Sequence, residues 1–220
     1  MMRNQFNQQL QQLHIALSEM GGMCQQAISL VTKALLTGEH SLLQTAFSVD
    51  EGIDQKERDI EALCMKLLLQ QQPVARDLRN ISAALKMISD MERIGDQATD
   101  IGELARFIPP TAVSSAIHIS EMARATVRMV TEAVDSFIHQ DLVLARKVMA
   151  DDDEVDALFL RVKGELQEEI VSRSPNSESS LDVMMVAKYL ERIGDHATNI
   201  AEWVEYSIIG VHPKDEKQER

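Results

Sequence analysis

Aromatic residues are scarce in this sequence, at 4% of 220 positions, and there are only five Pro, nine Gly and two Cys. Leu, Ala, Ile, Val and twelve Met supply most of the apolar mass. Such residues suit helices, whereas strands favour β-branched and aromatic side chains. Few turn formers imply few connections and long elements. Cys24 and Cys64 lie in helical stretches without CxxC spacing or a paired His, and read as buried small apolar residues rather than ligands or a disulfide. Basic charge is also short. Lys and Arg total 22 against 35 Asp and Glu, a formal net charge of −13. A duplex nucleic-acid binder needs a basic face, and no dense basic run exists, so nucleic acid is not expected as a partner. The acidity suits cations, basic protein surfaces or solubility. No apolar run reaches the roughly 18 residues of a membrane span. The opening MMRNQFNQQLQQ is polar with no secretory pattern, so the expectation is a cytoplasmic protein with no direct membrane insertion.

The periodicity gives an all-α fold of six long helices. Leu10, Leu13, Leu17, Met20, Cys24, Ala27, Leu30, Val31 and Leu35 recur at three- and four-residue steps over residues 3–37. Gly21 and Gly22 are expected to weaken or bend this helix, and Gly38 closes it. A second helix runs over 41–71, Pro73 breaks the pattern, and a third covers 75–107 before Pro109 and Pro110. The pattern then restarts, with helices over 114–139, 142–171 and 179–209. The stretch SRSPNSESS before the last of these reads as a loop, and VHPKDEKQER as a frayed charged tail.

An internal repeat explains the restart. ERIGDQATDIGE begins at Glu92 and ERIGDHATNIAE at Glu191, with nine of twelve positions identical at an offset of 99. At an offset of 102, Ser18–Met20 matches Ser120–Met122, Asp50 and Asp54 match Asp152 and Asp156, and Pro73 matches Pro175. Two fused three-helix bundles fit best, with one repeat at 1–109, a second at 110–210 and a tail at 211–220.

The repeated motif carries an acidic stripe. With Glu92 at zero on a helical wheel, Asp96, Asp100 and Glu103 fall at about 40°, 80° and 20°. Gly95, Ala98, Gly102 and Ala105 form a separate small-residue face at roughly 220–300°, where another helix can come close. Glu191, Asp195 and Glu202 repeat the stripe, and Asn199 replaces the third acid while keeping an oxygen donor. Arg93 and Arg192 reach only one end of each stripe. On the preceding helix Asp50, Asp54, Glu57 and Glu61 share a face, whereas their counterparts are Asp152, Asp156, Phe159 and Lys163. Like charges at i, i+4 repel by about 0.2–0.5 kcal/mol per pair, so something cationic is expected to compensate, whether another helix, a metal or a partner protein. Converging carboxylates suit Mg²⁺, Mn²⁺, Ca²⁺ or iron better than soft metals. An acidic face can equally be solvated surface or an ion-pair network, giving a purely structural bundle. A carboxylate-bridged di-metal enzyme is the other alternative, but no His has a Glu three residues before it, which argues against a ferritin-like site. No GxGxxG or GKS/T loop is present either. His196 has Gln97 as its counterpart and reads as a surface or flanking residue.

The doubled ERIGD motif, preceded by ID at Asp54 and VD at Asp156, closely resembles the PhoU family over about residues 5–210. The resemblance implies two three-helix bundles with pseudo-twofold symmetry, and an adaptor rather than an enzyme. It implies a negative regulator of phosphate uptake and phosphate-starvation signalling that contacts the transporter's ATPase subunit and a phosphate-sensing histidine kinase. A homodimer, peripheral to the inner membrane through those partners, is expected from the same likeness. It further implies multinuclear metal clusters of iron, zinc, manganese or magnesium. Their ligands would be Asp50, Asp54, Glu92, Asp96 and Asp100 in one half, and Asp152, Asp156, Glu191, Asp195 and Asn199 in the other. Arg93, Arg192, Glu103 and Glu202 would support them.

Overall fold

The first apolar stripe folds as one unbroken helix, α1 (Met2–Thr37), in a computed structural model that describes residues 2–71, 73–115, 118–172 and 177–216. Leu13, Leu17, Met20, Cys24, Ile28 and Val31 line its buried face with no exposure at all. Gly38 ends it in the left-handed region, φ 73°, donating its N–H to the Ala34 carbonyl at 2.8 Å. There follow α2 (Ser41–Gln71), α3 (Ala75–Ala105), α4 (Pro110–Ser115), α5 (His118–His139), α6 (Leu142–Ser172), α7 (Ser180–Ile209) and α8 (Pro213–Glu216). Among the described residues there is no strand.

The helix boundaries agree with the periodicity to within a few residues, with two differences. Pro110 does not merely stop the first half. It opens the short helix α4, because a proline's fixed φ and missing N–H suit the first helical position. The tail is not wholly frayed either. Gly210, at φ 93°, closes α7, and residues 213–216 make a further helical turn. Pro175 and the middle of SRSPNSESS lie outside the described residues.

Helices α1, α2 and α3 pack on one another, as do α5, α6 and α7. The two bundles join through α1 against α5 and, most extensively, α3 against α7. Equivalent helices thus face each other across a pseudo-twofold axis, while α2 and α6 lie on the outside and pack mainly within their own bundles. One continuous core runs through both, with Leu17, Met87, Met129, Phe137, Ile193 and Val204 all buried. Burying each large side chain contributes about 1.5–3 kcal/mol. Both cysteines are free and buried, and burial pushes each thiol up to about 12. Cys24 Sγ donates to the Met91 carbonyl at 3.3 Å, tying α1 to α3.

The paired glycines of α1 differ in purpose. A Cβ on Gly21 would stand 3.0–3.3 Å from three atoms of Val134, so Gly21 lets α1 and α5 approach closely. A Cβ on Gly22 would meet nothing within 4 Å. Gly22→Ala should therefore raise unfolding stability by about 0.5–1 kcal/mol through helix propensity. Gly21→Leu should lower it by about 1–3 kcal/mol through overpacking. Urea denaturation of the two variants checks both signs.

Candidate metal-binding site

The small-residue face of α3 brings α2 close. A Cβ on Gly95 would collide with Asp50 Oδ1 and stand 3.2 Å from Ile53 Cδ1. One on Gly102 would stand 2.9 Å from Phe47 Cε1 and 3.2 Å from Val31 Cγ1. Asp50 therefore lies directly on the α3 backbone. Thr99 Oγ1 donates to Asp50 Oδ2 at 2.9 Å, while Asp50 Oδ1 is buried without a hydrogen-bond partner. An unpaired buried carboxylate oxygen is costly unless a cation or a proton compensates it.

The neighbouring acids feel one another. Burial, and then the charges of Asp54, Asp96 and Glu51, push the Asp50 carboxyl up, opposed by the Thr99 hydroxyl. Burial and the Asp96 charge push Glu92 up, with Glu57 and Asp54 adding to the effect and Arg93 opposing it. Asp50, Asp54, Glu92 and Asp96 thus form one repelling group across α2 and α3. Among the described residues only the cation Arg93 pairs within it, at 2.9 Å from Asp96 Oδ2 and 3.4 Å from Glu92 Oε2, from an exposed position.

The second bundle repeats this more loosely. A Cβ on Gly194 would stand 3.5 Å from Asp152 Oδ1 and 3.4 Å from Val155 Cγ1, which is ordinary contact. Asp152 is pushed up to about 6 by burial, then by the Asp195, Asp156 and Asp153 charges. Asp195 is raised by burial and by Glu191 and Asp156, with Lys188 and His196 opposing. Lys188 pairs with Glu191, whereas Arg192, the counterpart of Arg93, lies toward Asp100. Thr198, the counterpart of Thr99, turns its buried hydroxyl to Asp152 and opposes the rise there, as Thr99 does at Asp50.

Two expected ligands stand apart from these groups. Asn199 points to the seam between the bundles, donating to Asp90 Oδ1 at 3.2 Å and accepting from Lys214 Nζ at 3.0 Å. Asp100 looks the same way: burial and the Glu103 and Asp96 charges push it up, while Arg192 across the seam opposes. Glu202 is buried and meets Lys214 Nζ at 2.7 Å, whereas Glu103 is exposed. His196 is not a free surface residue. Its Nδ1 lies 2.8 Å from Asp90 Oδ1, so Asp90, His196, Asn199 and Lys214 make a polar cluster binding α3, α7 and α8. Gln97, at the position equivalent to His196, is buried, and no local sequence signal marked this face as a helix interface.

The donor chemistry fits a hard cation, since every convergent atom is a carboxylate oxygen. The present side-chain positions do not form a closed ligand set: among the described residues, no group of three or more His, Cys, Asp or Glu stands ready to hold a metal ion. The first bundle offers the better cradle, with its orphaned Asp50 oxygen and tighter helix approach.

A duplicated helical bundle with one acidic group per half defines the class of the protein, and comparisons with known proteins narrow it. The PhoU domain model matches residues 17–105 and 119–204, one match in each half. The chain belongs to the PhoU family. It is 33% identical over 213 residues to the phosphate-specific transport system accessory protein PhoU homolog of Clostridium acetobutylicum, covering 96% of this chain and 97% of that one. It is 35% identical over 211 residues to the protein of the same name from Pseudomonas putida, covering 94% and 81%. The crystal structure of PhoU from Pseudomonas aeruginosa superposes with a TM-score of 0.86 at 32% identity, covering 94% of this chain and all 100% of that one. The fold is shared as well with PhoU from Streptococcus pneumoniae, described as a phosphate transport system regulatory protein, at a TM-score of 0.84 and 20% identity over 94% and 98%.

The two glycines and the raised carboxyls make separate predictions. Gly194→Ala should stabilise the protein by up to about 1 kcal/mol, because the new methyl has room. Gly95→Ala should show no such gain, because its methyl displaces the Asp50 carboxylate from Thr99; thermal unfolding compares them. In chelator-treated protein Asp152 holds its proton to about pH 6 when folded, against an ordinary 3.8. The folded chain then binds more protons across that window, so stability present below it is lost as pH rises through it. Asp152→Asn should flatten this slope, as measured by urea midpoints from pH 4 to pH 7.

Proposed function

We infer that the chain is a non-enzymatic accessory protein that regulates phosphate-specific transport, with its two acidic groups serving as cation sites. Membership of the PhoU family supports the regulatory reading, since relatives carry phosphate-transport accessory names. The observation that carries the cation reading is the buried, unpartnered Asp50 Oδ1 within a repelling set of acids that recurs in the second half. A structural ion-pair network would have supplied each acid with its own cation, yet Arg93 and Lys188 neutralise only part of each set.

Asp50, Asp54, Glu92 and Asp96 would hold the first cation or cluster, and Asp152, Asp156, Glu191 and Asp195 the second. Magnesium, manganese or iron suits these oxygens best, zinc less well. A bound cation supplies the positive charge that lets α2 lie against α3 and α6 against α7 at neutral pH. Arg93 and Lys188, both exposed, are free to swing aside. Asp100 adds charge at the edge of the first group, and Asn199 stays with the seam. The regulatory partners on this reading are the ATPase subunit of a phosphate ABC transporter and a phosphate-sensing histidine kinase, met by a homodimer at the membrane surface. No helix of the described residues is long and apolar enough to cross a membrane.

Elemental analysis of purified protein tests the sites. The Asp96→Ala/Asp195→Ala variant should lose most bound metal, and unchanged metal content would remove the assignment. At free cation about 100 times Kd, one site should add about 2.7 kcal/mol to unfolding stability in the parent protein alone. Affinity capture from native cells grown in high and low phosphate tests the partners. Recovery of the transporter ATPase is the expected result, and redox turnover by the metal-loaded protein would instead favour a di-metal enzyme.

A further inference from the structure

Outside the acidic groups, the acidic second bundle holds a groove rich in arginine. It lies between α5 and α6, has a volume of about 320 Å³, and is lined by Arg124 and Arg128 from one helix and Arg161 from the other. Its floor is small and apolar, formed by Ala125, Ala157 and Leu158. The three guanidiniums are not equally committed. Arg128 is held by Glu154, 2.6 Å from its Nη2, and by Asp151 at 3.7 Å. Among the described residues Arg124 donates only to the Ser120 hydroxyl, at 3.3 Å, and Arg161 has no ion-pair or hydrogen-bond partner. Glu121 and Glu154 also line the groove and lower its net positive charge; Glu154 is taken up by Arg128, and among the described residues Glu121 pairs with no arginine within ion-pair distance.

The first bundle is an internal control. At the offset of 102 the three arginines correspond to Gly22, Gln26 and Asp59. There the equivalent surface is closed by local pairs: Lys56 Nζ reaches Glu19 Oε2 at 2.8 Å, and Gln55 donates to Asp59 at 2.9 Å. Packing of this fold therefore has no need of arginine at these positions. Two cations from separate helices stand at the mouth of one groove without carboxylate partners, in a chain of net charge −13. Solvation alone would be met as well by lysine or glutamine.

The geometry points to a binding site for a small molecule carrying a phosphate dianion, gripped by Arg124 and Arg161. A guanidinium presents a planar fork that pairs bidentately with phosphate oxygens, and two such forks match a charge of two. A pocket of this volume exceeds a bare phosphate and takes a compact organic body on its Ala125, Ala157 and Leu158 floor. None of the three arginines belongs to the carboxylate groups, so this site stands or falls independently of the cation reading.

Titration calorimetry at low ionic strength tests it, with inorganic phosphate, adenosine monophosphate and succinate as probes. Phosphate or the nucleotide should bind the intact chain, and their relative affinity tells free phosphate from a phosphorylated organic ligand. Arg124→Ala/Arg161→Ala should weaken that binding about tenfold or more, and Arg124→Lys/Arg161→Lys should weaken it too, because the charge remains but the fork is lost. Lys66→Ala/Arg76→Ala, the same charge change at exposed positions of the first bundle, should leave it unchanged. Circular dichroism confirms that each variant is folded. Failure of both phosphate compounds to bind at millimolar concentration would overturn the proposal. So would equal affinity for succinate, or binding indifferent to both double variants.

Discussion

The close approach of α2 to α3 at Gly95 and Gly102 is the contact on which the acidic site depends. Without a side chain at these two positions, Asp50, Ile53 and Phe47 can rest on the α3 backbone. That contact buries one face of the helix pair and, one register step away, forces Asp50 among Asp54, Glu92 and Asp96. Packing energy is thus set against carboxylate repulsion in the same few turns. The balance explains why Asp50 and Glu92 have raised proton affinities although neither residue is deeply buried: partial desolvation comes first and mutual charge second.

The second bundle relaxes the same contact. Gly194 keeps its small size, but Asp152 stands further from it, and Ala201 occupies the place of Gly102. Looser approach means less constraint on the carboxylates, and Lys188 rather than arginine covers them. The two halves share a design and differ in tightness, which is a difference of packing before it is a difference of charge.

Most of the architecture was legible because it follows from periodicity within single helices. The stripe through Leu13, Leu17, Met20 and Cys24 names a buried face without any tertiary knowledge. The doubled ERIGD motif likewise gave the repeat and the acidic faces. What a helical wheel does not contain is the identity of the neighbour. Asp100 and Asn199 lie only about 40° beyond Asp96 and Asp195, yet that angle turns them from the outer helix to the other bundle. The seam of Asp90, His196 and Asn199 depends on α3 meeting α7, residues about a hundred apart that no local pattern links. The arginine groove was hidden for the same reason: Arg128 and Arg161 are unremarkable on their own helices and meet only once α5 and α6 are paired. Lys214 sat in a stretch too short and polar to show a period, and its order comes from Glu202 and Asn199 beneath it.

The position of the outer helices connects these features. α2 and α6 pack mainly within their own bundles, whereas α1, α3, α5 and α7 lock one another through the central seam. The helix with fewest neighbours is the one most easily displaced when a contact along it weakens. For α6 the weak line is the acidic group shared with α7, and its opposite flank forms one wall of the arginine groove with α5. A cation that lowers repulsion along α6–α7 therefore stabilises the helix from which Arg161 projects. By linkage, a ligand that grips both Arg124 and Arg161 would favour the same docked state of α6, and the two proposed binding events would assist each other. α2 has the matching acidic line but no arginine groove. On the proposed sites, the duplication would leave one outer helix governed by a cation alone and the other by a cation and an anion together.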